Sequence, residues 1–171
     1  TGAYLHADMN DHLVYVKITG EVAKLLTTID NKYKYFLNNN GEIYVKLRKA
    51  LYGCKYSAKL WFQHISSILN NNGYKSNQYD RCVFNKMYNG KQITIVLYVD
   101  DLIITAENNE IIQKVLNMLK NEFKEITTKL GNEHEYLGMI FKKISIDKIE
   151  VSMDHYVDNI LQEMKIIDTT I

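Results

Sequence analysis

Apolar positions along the chain recur with two different periods, and the alternation between them outlines the fold. From Ser57 to Asn72, Trp61, Ile65, Ile68 and Leu69 fall at i, i+4, i+7 and i+8, one face of a helix. Ser57 is the expected N-cap and Gly73 the C-terminal stop. Asn109 is expected to cap a second helix, Glu110 to Phe123, with Ile112, Val115, Leu119 and Phe123 on one side. A third runs from about Asp154 to Lys165 with Val157, Ile160, Leu161 and Met164, and a short one covers Val22 to Ile29.

The remaining apolar runs read as strands. Leu13 to Ile18 is one; Tyr35 to Leu37 and Ile43 to Leu47 form a pair joined through Asn38 to Gly41. Cys82 to Tyr88 and Gln92 to Val99 flank Asn89-Gly90, and the second of these is apolar on both faces, as in the middle of a sheet. Leu102 to Thr105 resumes after only two aspartates, and Tyr136 to Lys142 pairs with Ile149 to Ser152 across Ser145 to Lys148. Strands joined by tight turns, with helices only between strand pairs, predict an α+β fold: a mostly antiparallel sheet with helices packed on one face. No repeat or linker divides the 171 residues, so one domain over 1–171 is expected.

Composition narrows the class without deciding it. The chain is 46% hydrophobic and 24% charged with a net charge of +1, which fits a folded core and requires any nucleic-acid contact to come from a local patch. The apolar run from Ile93 to Val99 is far too short to span a membrane. Cys54 and Cys82 form no CxxC pair, there is no glycosylation sequon, and a reducing intracellular setting is expected. The chain opens on Thr1 and runs straight into ordered-looking sequence, as an internal piece of a longer protein would. Proline is absent while Asn, Lys, Ile and Tyr abound, a bias that reads as A/T-rich coding sequence.

Two features carry chemistry. Asp100-Asp101, within Tyr98-Val99-Asp100-Asp101, sits between two very apolar strands. Aspartates favour turns because they bond their own backbone, yet two adjacent carboxylates at the rim of a buried sheet repel each other and lose solvation unless a cation compensates. Hard oxygen donors suit Mg²⁺, with water and phosphate oxygens completing its octahedron, and phosphoryl transfer follows. The second feature is Lys46, Arg48, Lys49, Lys55 and Lys59, opposed only by Glu42 and interleaved with Tyr44, Tyr52, Tyr56 and Trp61. It reads either as a solvated face or, with flexible Gly53, as a surface for phosphates and stacked bases. His6, His12, His64, His134 and His155 are scattered without metal-site spacing, and neither GxxxxGK[ST] nor GxGxxG occurs. Lys129, near Glu125, reads as surface rather than as a proton donor to a leaving group.

The runs YVKLRKALYGCKYSAKLWF (44–62), YDRCVF (79–84), LYVDDLIIT (97–105), YLGMIF (136–141) and SMDHYVDNIL (152–161) resemble, in order and spacing, the reverse transcriptases of Ty1/copia-type retrotransposons over nearly the whole chain. The resemblance implies a polymerase palm in an RNA-directed DNA polymerase that uses Mg²⁺, with Mn²⁺ as a substitute. Asp100 resembles the metal-ligating aspartate of the third polymerase motif and Asp101 its less tightly bound neighbour. Tyr98 resembles the residue beneath the primer end, and Tyr4 the aromatic that crowds a ribose 2′-hydroxyl. Gly53, Lys55 and Ser57 resemble the segment bordering the incoming dNTP, and Leu137 and Gly138 a primer-grip hairpin. Lys46, Arg48 and Lys49 would hold the phosphates of the RNA or DNA template and primer. The other implied partners are the fingers, RNase H and integrase regions of the same polyprotein, in the cytoplasm and in virus-like particles, with no membrane.

The departures from the pattern also bear on function. The first motif's aspartate would stand two residues before Thr1, Tyr56 replaces the usual Gln, and Cys54 replaces the usual Leu. A fragment inactive by itself is therefore expected, and a degenerate or co-opted nucleic-acid-binding relic is the alternative. A response-regulator receiver domain also pairs acidic residues around Mg²⁺, but after the first strand of a parallel array rather than late in the chain between directly joined strands.

Overall fold

The computed structural model describes residues 2–9 and 12–165; Thr1, residues 10 and 11, and residues 166–171 lie outside them. The fold is α+β as expected, and every strand pair in it is antiparallel. Pairing is shared among three sheets rather than gathered into one. The chain forms two compact units, residues 1–107 and 108–171.

The first unit opens with a 3₁₀ turn at Ala3–His6. Strand β1 (Tyr15–Ile18) then pairs with β2 (Ile43–Lys46), Tyr15 opposite Lys46 and Ile18 opposite Ile43. Between them lie helix α1 (Gly20–Ile29) and a 3₁₀ segment, Asn31–Phe36. The expected strand at Tyr35 to Leu37 is thus mostly 3₁₀, and only a Leu37–Ile43 bridge survives of its pairing. Asp30 is the cause: its carboxylate accepts from the Lys32 N–H at 2.9 Å and its carbonyl from the Tyr33 N–H, winding the chain into a tight turn. The Asn38 to Gly41 turn is present, with the Asn38 side-chain oxygen accepting from the N–H groups of Asn40 and Glu42.

Helix α2 (Ser57–Asn71) precedes a four-stranded sheet in chain order: β3 (Lys75–Ser76), β4 (Val83–Tyr88), β5 (Lys91–Tyr98) and β6 (Asp101–Thr105). The two residues of the β4–β5 turn, Asn89 and Gly90, have φ of 49° and 76°, the doubly left-handed turn that Asn-Gly favours. Strand β5 is central, and its Ile93, Ile95 and Leu97 are buried, as is Phe84 opposite Ile95. Helix α2 lies over that face: Phe62 meets Phe84 with ring centroids 6.4 Å apart, and Lys86 donates to the Asn72 carbonyl at 2.8 Å. The opposite face carries hydrogen bonds among Asn85, Gln92 and Thr94. Burying each large side chain here is worth about 1.5–3 kcal/mol, enough to hold the end of β5 in place.

In the second unit, helix α3 (Asn109–Phe123) is capped by Asn108, one residue earlier than expected, whose side chain accepts from the Ile111 N–H at 3.1 Å. Strands β7 (Glu133–Tyr136), β8 (Met139–Lys143) and β9 (Ile149–Ser152) form a three-stranded sheet followed by helix α4 (Asp154–Glu163). The expected continuous strand at Tyr136 to Lys142 is cut by a two-residue turn at Leu137 and Gly138, with φ of 53° and 77°. Its β8–β9 hairpin forms as expected, with Ile144 N–H donating to the Lys148 carbonyl at 2.9 Å.

Candidate active site

Strands β5 and β6 are joined by two residues. Tyr98 and Asp101 form the last pair of the ladder, so Val99 and Asp100 make up the loop. Val99 has φ 51°, a positive backbone angle that two-residue hairpin turns usually give to glycine or asparagine. For a β-branched residue that is an outlier, worth about 1–3 kcal/mol of strain. Buried Trp61, on α2, donates its indole N–H to the Val99 carbonyl at 2.6 Å. Asp100 stands exposed at the tip, and Asp101 begins β6.

The loop before α2 reaches the same tip. The Tyr52 hydroxyl donates to Asp100 Oδ2 at 3.4 Å, and the Tyr52 ring lies against Tyr4 with centroids 4.2 Å apart at 37°. Partial burial, and then the Asp100 carboxylate, push the Tyr52 phenol above its ordinary range and keep it a donor. Residues 7–9 run antiparallel to 48–50, with Met9 N–H donating to the Arg48 carbonyl and Ala50 N–H to the Ala7 carbonyl, each at 2.9 Å. This pairing is what brings the Tyr4 turn beside the 51–57 loop.

Within that loop the three residues read as bordering a nucleotide differ sharply. Ser57 is buried: its hydroxyl accepts from Leu51 N–H at 3.1 Å and donates to the Leu51 carbonyl at 2.6 Å, closing the loop on itself. Gly53, at φ 86°, is exposed with open space about it. Lys55 is exposed, its ammonium 5.7 Å from the Tyr56 ring centroid, and Tyr56 stacks on His12 at 4.1 Å and 9°. Of the basic residues, Lys46 and Arg48 are exposed, whereas Lys49 pairs with Asp8 at 2.9 Å. Tyr98 is exposed beside the tip; Leu137 and Gly138 form the β7–β8 turn of the second unit.

Asp100 and Asp101 offer hard oxygens on adjacent residues, with the Tyr52 hydroxyl a further oxygen at Asp100. Among the described residues no group of three or more His, Cys, Asp and Glu side chains is gathered to cage a metal. That donor set fits a cation such as Mg²⁺, which takes one or two carboxylates and leaves its other positions to water and phosphate. Sequence reasoning missed two participants. Tyr52 stood only among the aromatics of the basic segment, although a ring with a polar handle next to a flexible glycine is a signal. Trp61 read as a helix-face residue and as one of the aromatics of the basic segment, while its bond to the Val99 carbonyl had no local signal.

The sequence profile of a family described as reverse transcriptase (RNA-dependent DNA polymerase) matches residues 1–171. Among curated proteins, the chain is 26% identical over 163 residues to the retrovirus-related Pol polyprotein from transposon TNT 1-94 of Nicotiana tabacum, covering 94% of this chain and 11% of the relative. It is 30% identical over 135 residues to the retrovirus-related Pol polyprotein from transposon RE1 of Arabidopsis thaliana, covering 77% and 9%. It is 28% identical over 148 residues to the transposon Ty1-DR5 Gag-Pol polyprotein of Saccharomyces cerevisiae, covering 83% and 7%. The chain thus spans about a tenth of the length of these polyproteins. No solved structure matches it.

Proposed function

The chain belongs to the reverse transcriptase (RNA-dependent DNA polymerase) family, and on that premise we propose that it is the palm-centred part of an RNA-directed DNA polymerase of a Ty1/copia-type retrotransposon. The observation that carries this reading is the convergence at Asp100 of the β5–β6 turn, the Tyr52 hydroxyl and, behind Tyr52, the Tyr4 ring.

In this reading the primer 3′-hydroxyl attacks the α-phosphorus of a dNTP in line, and pyrophosphate leaves. Asp100, with Asp101 less tightly, and an aspartate two residues upstream of Thr1 would hold Mg²⁺ or Mn²⁺, which would supply charge neutralisation of the triphosphate and activation of the hydroxyl. Tyr52 orients the Asp100 carboxylate by occupying Oδ2. Tyr4 fills the volume a ribose 2′-hydroxyl needs, and its contact with Tyr52 keeps the ring there. Gly53 and Lys55 border the nucleotide from the exposed side of the loop, and Ser57 acts by closing that loop. Lys46 and Arg48, assisted by Lys49, track template and primer phosphates, Tyr98 supports the primer end, and Leu137 and Gly138 grip the primer. Fingers, RNase H and integrase regions of the same polyprotein complete the enzyme, within cytoplasmic virus-like particles. No helix among the described residues is long and apolar enough to cross a membrane.

The alternative is a non-catalytic nucleic-acid-binding relic. Tyr56, standing where the family pattern has Gln and stacked on His12, is the observation that favours it. Titration with Mn²⁺ separates the two. The polymerase reading predicts that the amide resonances of residues 98–102 broaden first, at millimolar metal, and that Asp100→Asn removes the effect. Broadening centred on any other segment contradicts the polymerase reading.

A further inference from the structure

Val99 occupies a conformation that its own side chain disfavours, and Trp61, the only tryptophan in the chain, holds it there by its carbonyl. Two independent features make this more than core packing. The strain lies in the residue directly before Asp100, and strained backbone persists only where the surroundings over-determine it. The restraint is a directional bond of 2.6 Å from a residue that is 5% exposed, anchored on a 15-residue helix that is itself packed on the sheet. A buried indole N–H needs a partner, and this one takes a carbonyl that a two-residue turn leaves outside the ladder.

We infer that Trp61 is a positioning residue for the catalytic turn: its hydrogen bond to the Val99 carbonyl locks Val99 left-handed and thereby sets where the Asp100 carboxylate points. The lock consists of one donor, so it can be removed while most of the aromatic bulk is kept. The strain consists of one Cβ, so it can be removed by glycine, which adopts positive φ at no steric cost. The metal readout below rests on the polymerase reading; the conformational readout does not.

The test uses Trp61→Phe, Val99→Gly and the double variant in the 171-residue chain, each first shown to be folded by its amide spectrum. Positive φ brings a residue's Hα close to its own amide proton, so Val99 gives a strong intraresidue Hα–HN NOE. Trp61→Phe is expected to weaken that NOE towards the value of extended residues and to raise the Mn²⁺ concentration that half-broadens the Asp100 amide at least threefold. Val99→Gly is expected to broaden at the parent concentration, and Trp61→Phe/Val99→Gly to recover most of the loss, because glycine holds the turn without the lock.

A folded Trp61→Phe chain that keeps both the NOE and the parent Mn²⁺ response overturns the inference. So does a double variant as impaired as Trp61→Phe alone. If the NOE weakens in Trp61→Phe while the parent chain shows no Mn²⁺ broadening at Asp100, the lock stands and the polymerase reading fails.

Discussion

Tyr52 and Asp100 meet hydroxyl to carboxylate at 3.4 Å across 48 residues of chain. The bond joins the loop that leads into α2 to the turn between β5 and β6, and through the ring of Tyr52 it reaches Tyr4 in the first 3₁₀ turn. A carboxylate at an exposed hairpin tip has few neighbours, and Tyr52 supplies one from far away in the sequence.

On the polymerase reading proposed above, Tyr4, held against Tyr52, is a selectivity residue. Tyr4→Val opens the volume beside Tyr52 without touching Asp100. In a chain extended upstream so that polymerisation can be assayed, it should raise rNTP incorporation relative to dNTP by tenfold or more, a difference of about 1.4 kcal/mol in the barrier. Competition assays with paired nucleotides measure the ratio directly. Equal losses on both substrates would make Tyr4 structural.

The basic residues should divide by their partners. Replacing Lys46 and Arg48 with Gln should weaken primer–template binding for every sequence and reduce the slope of log K against log salt by about 2, because roughly one counterion release is lost per phosphate contact. Lys49→Gln should reduce it less, since Lys49 is already engaged by Asp8 at 2.9 Å. Fluorescence anisotropy across a salt series reads both; an unchanged slope in the double variant would reduce the segment to a solvated face.

Ser57 should matter to stability more than to nucleotide contact. Its hydroxyl makes two bonds to Leu51 while buried, so Ser57→Ala should cost about 1 kcal/mol or more in a urea melt. A change within ~0.5 kcal/mol, as at an ordinary surface position, would mean that the loop closes without it.

Much of this was legible in the residues themselves. Asn89-Gly90 announced its hairpin, the apolar residues of 57–72 announced α2, and two aspartates between ITIVL and LIIT announced an acidic turn at the rim of the sheet, where both carboxylates prove exposed rather than desolvated. What was hidden depended on signals that periodicity does not carry. The Asp30 carboxylate winds Asn31–Phe36 into 3₁₀ structure although Tyr35 to Leu37 is an apolar run that reads as a strand. The turn at Leu137 and Gly138 interrupts an apolar run, so periodicity read the strand as continuous where only the family resemblance suggested a hairpin. The bonds from Trp61 to Val99 and from Tyr52 to Asp100 are tertiary, and no local pattern reports them. The family motifs pointed to the β5–β6 turn, and the bonds made around it come from packing.

Primer extension tests the central claim, that Asp100 is a metal-holding carboxylate of a polymerase palm. Residues 1–171 alone should give no extension, because the polymerase reading requires the further aspartate it expects two residues before Thr1. Extended upstream, with an aspartate two residues before Thr1 and with the fingers, the chain should incorporate dNTPs in the presence of Mg²⁺. In that polypeptide Asp100→Asn should reduce incorporation to background, while Asp101→Asn leaves a measurable remainder. Incorporation by the Asp100→Asn polypeptide at the unsubstituted rate would contradict the account.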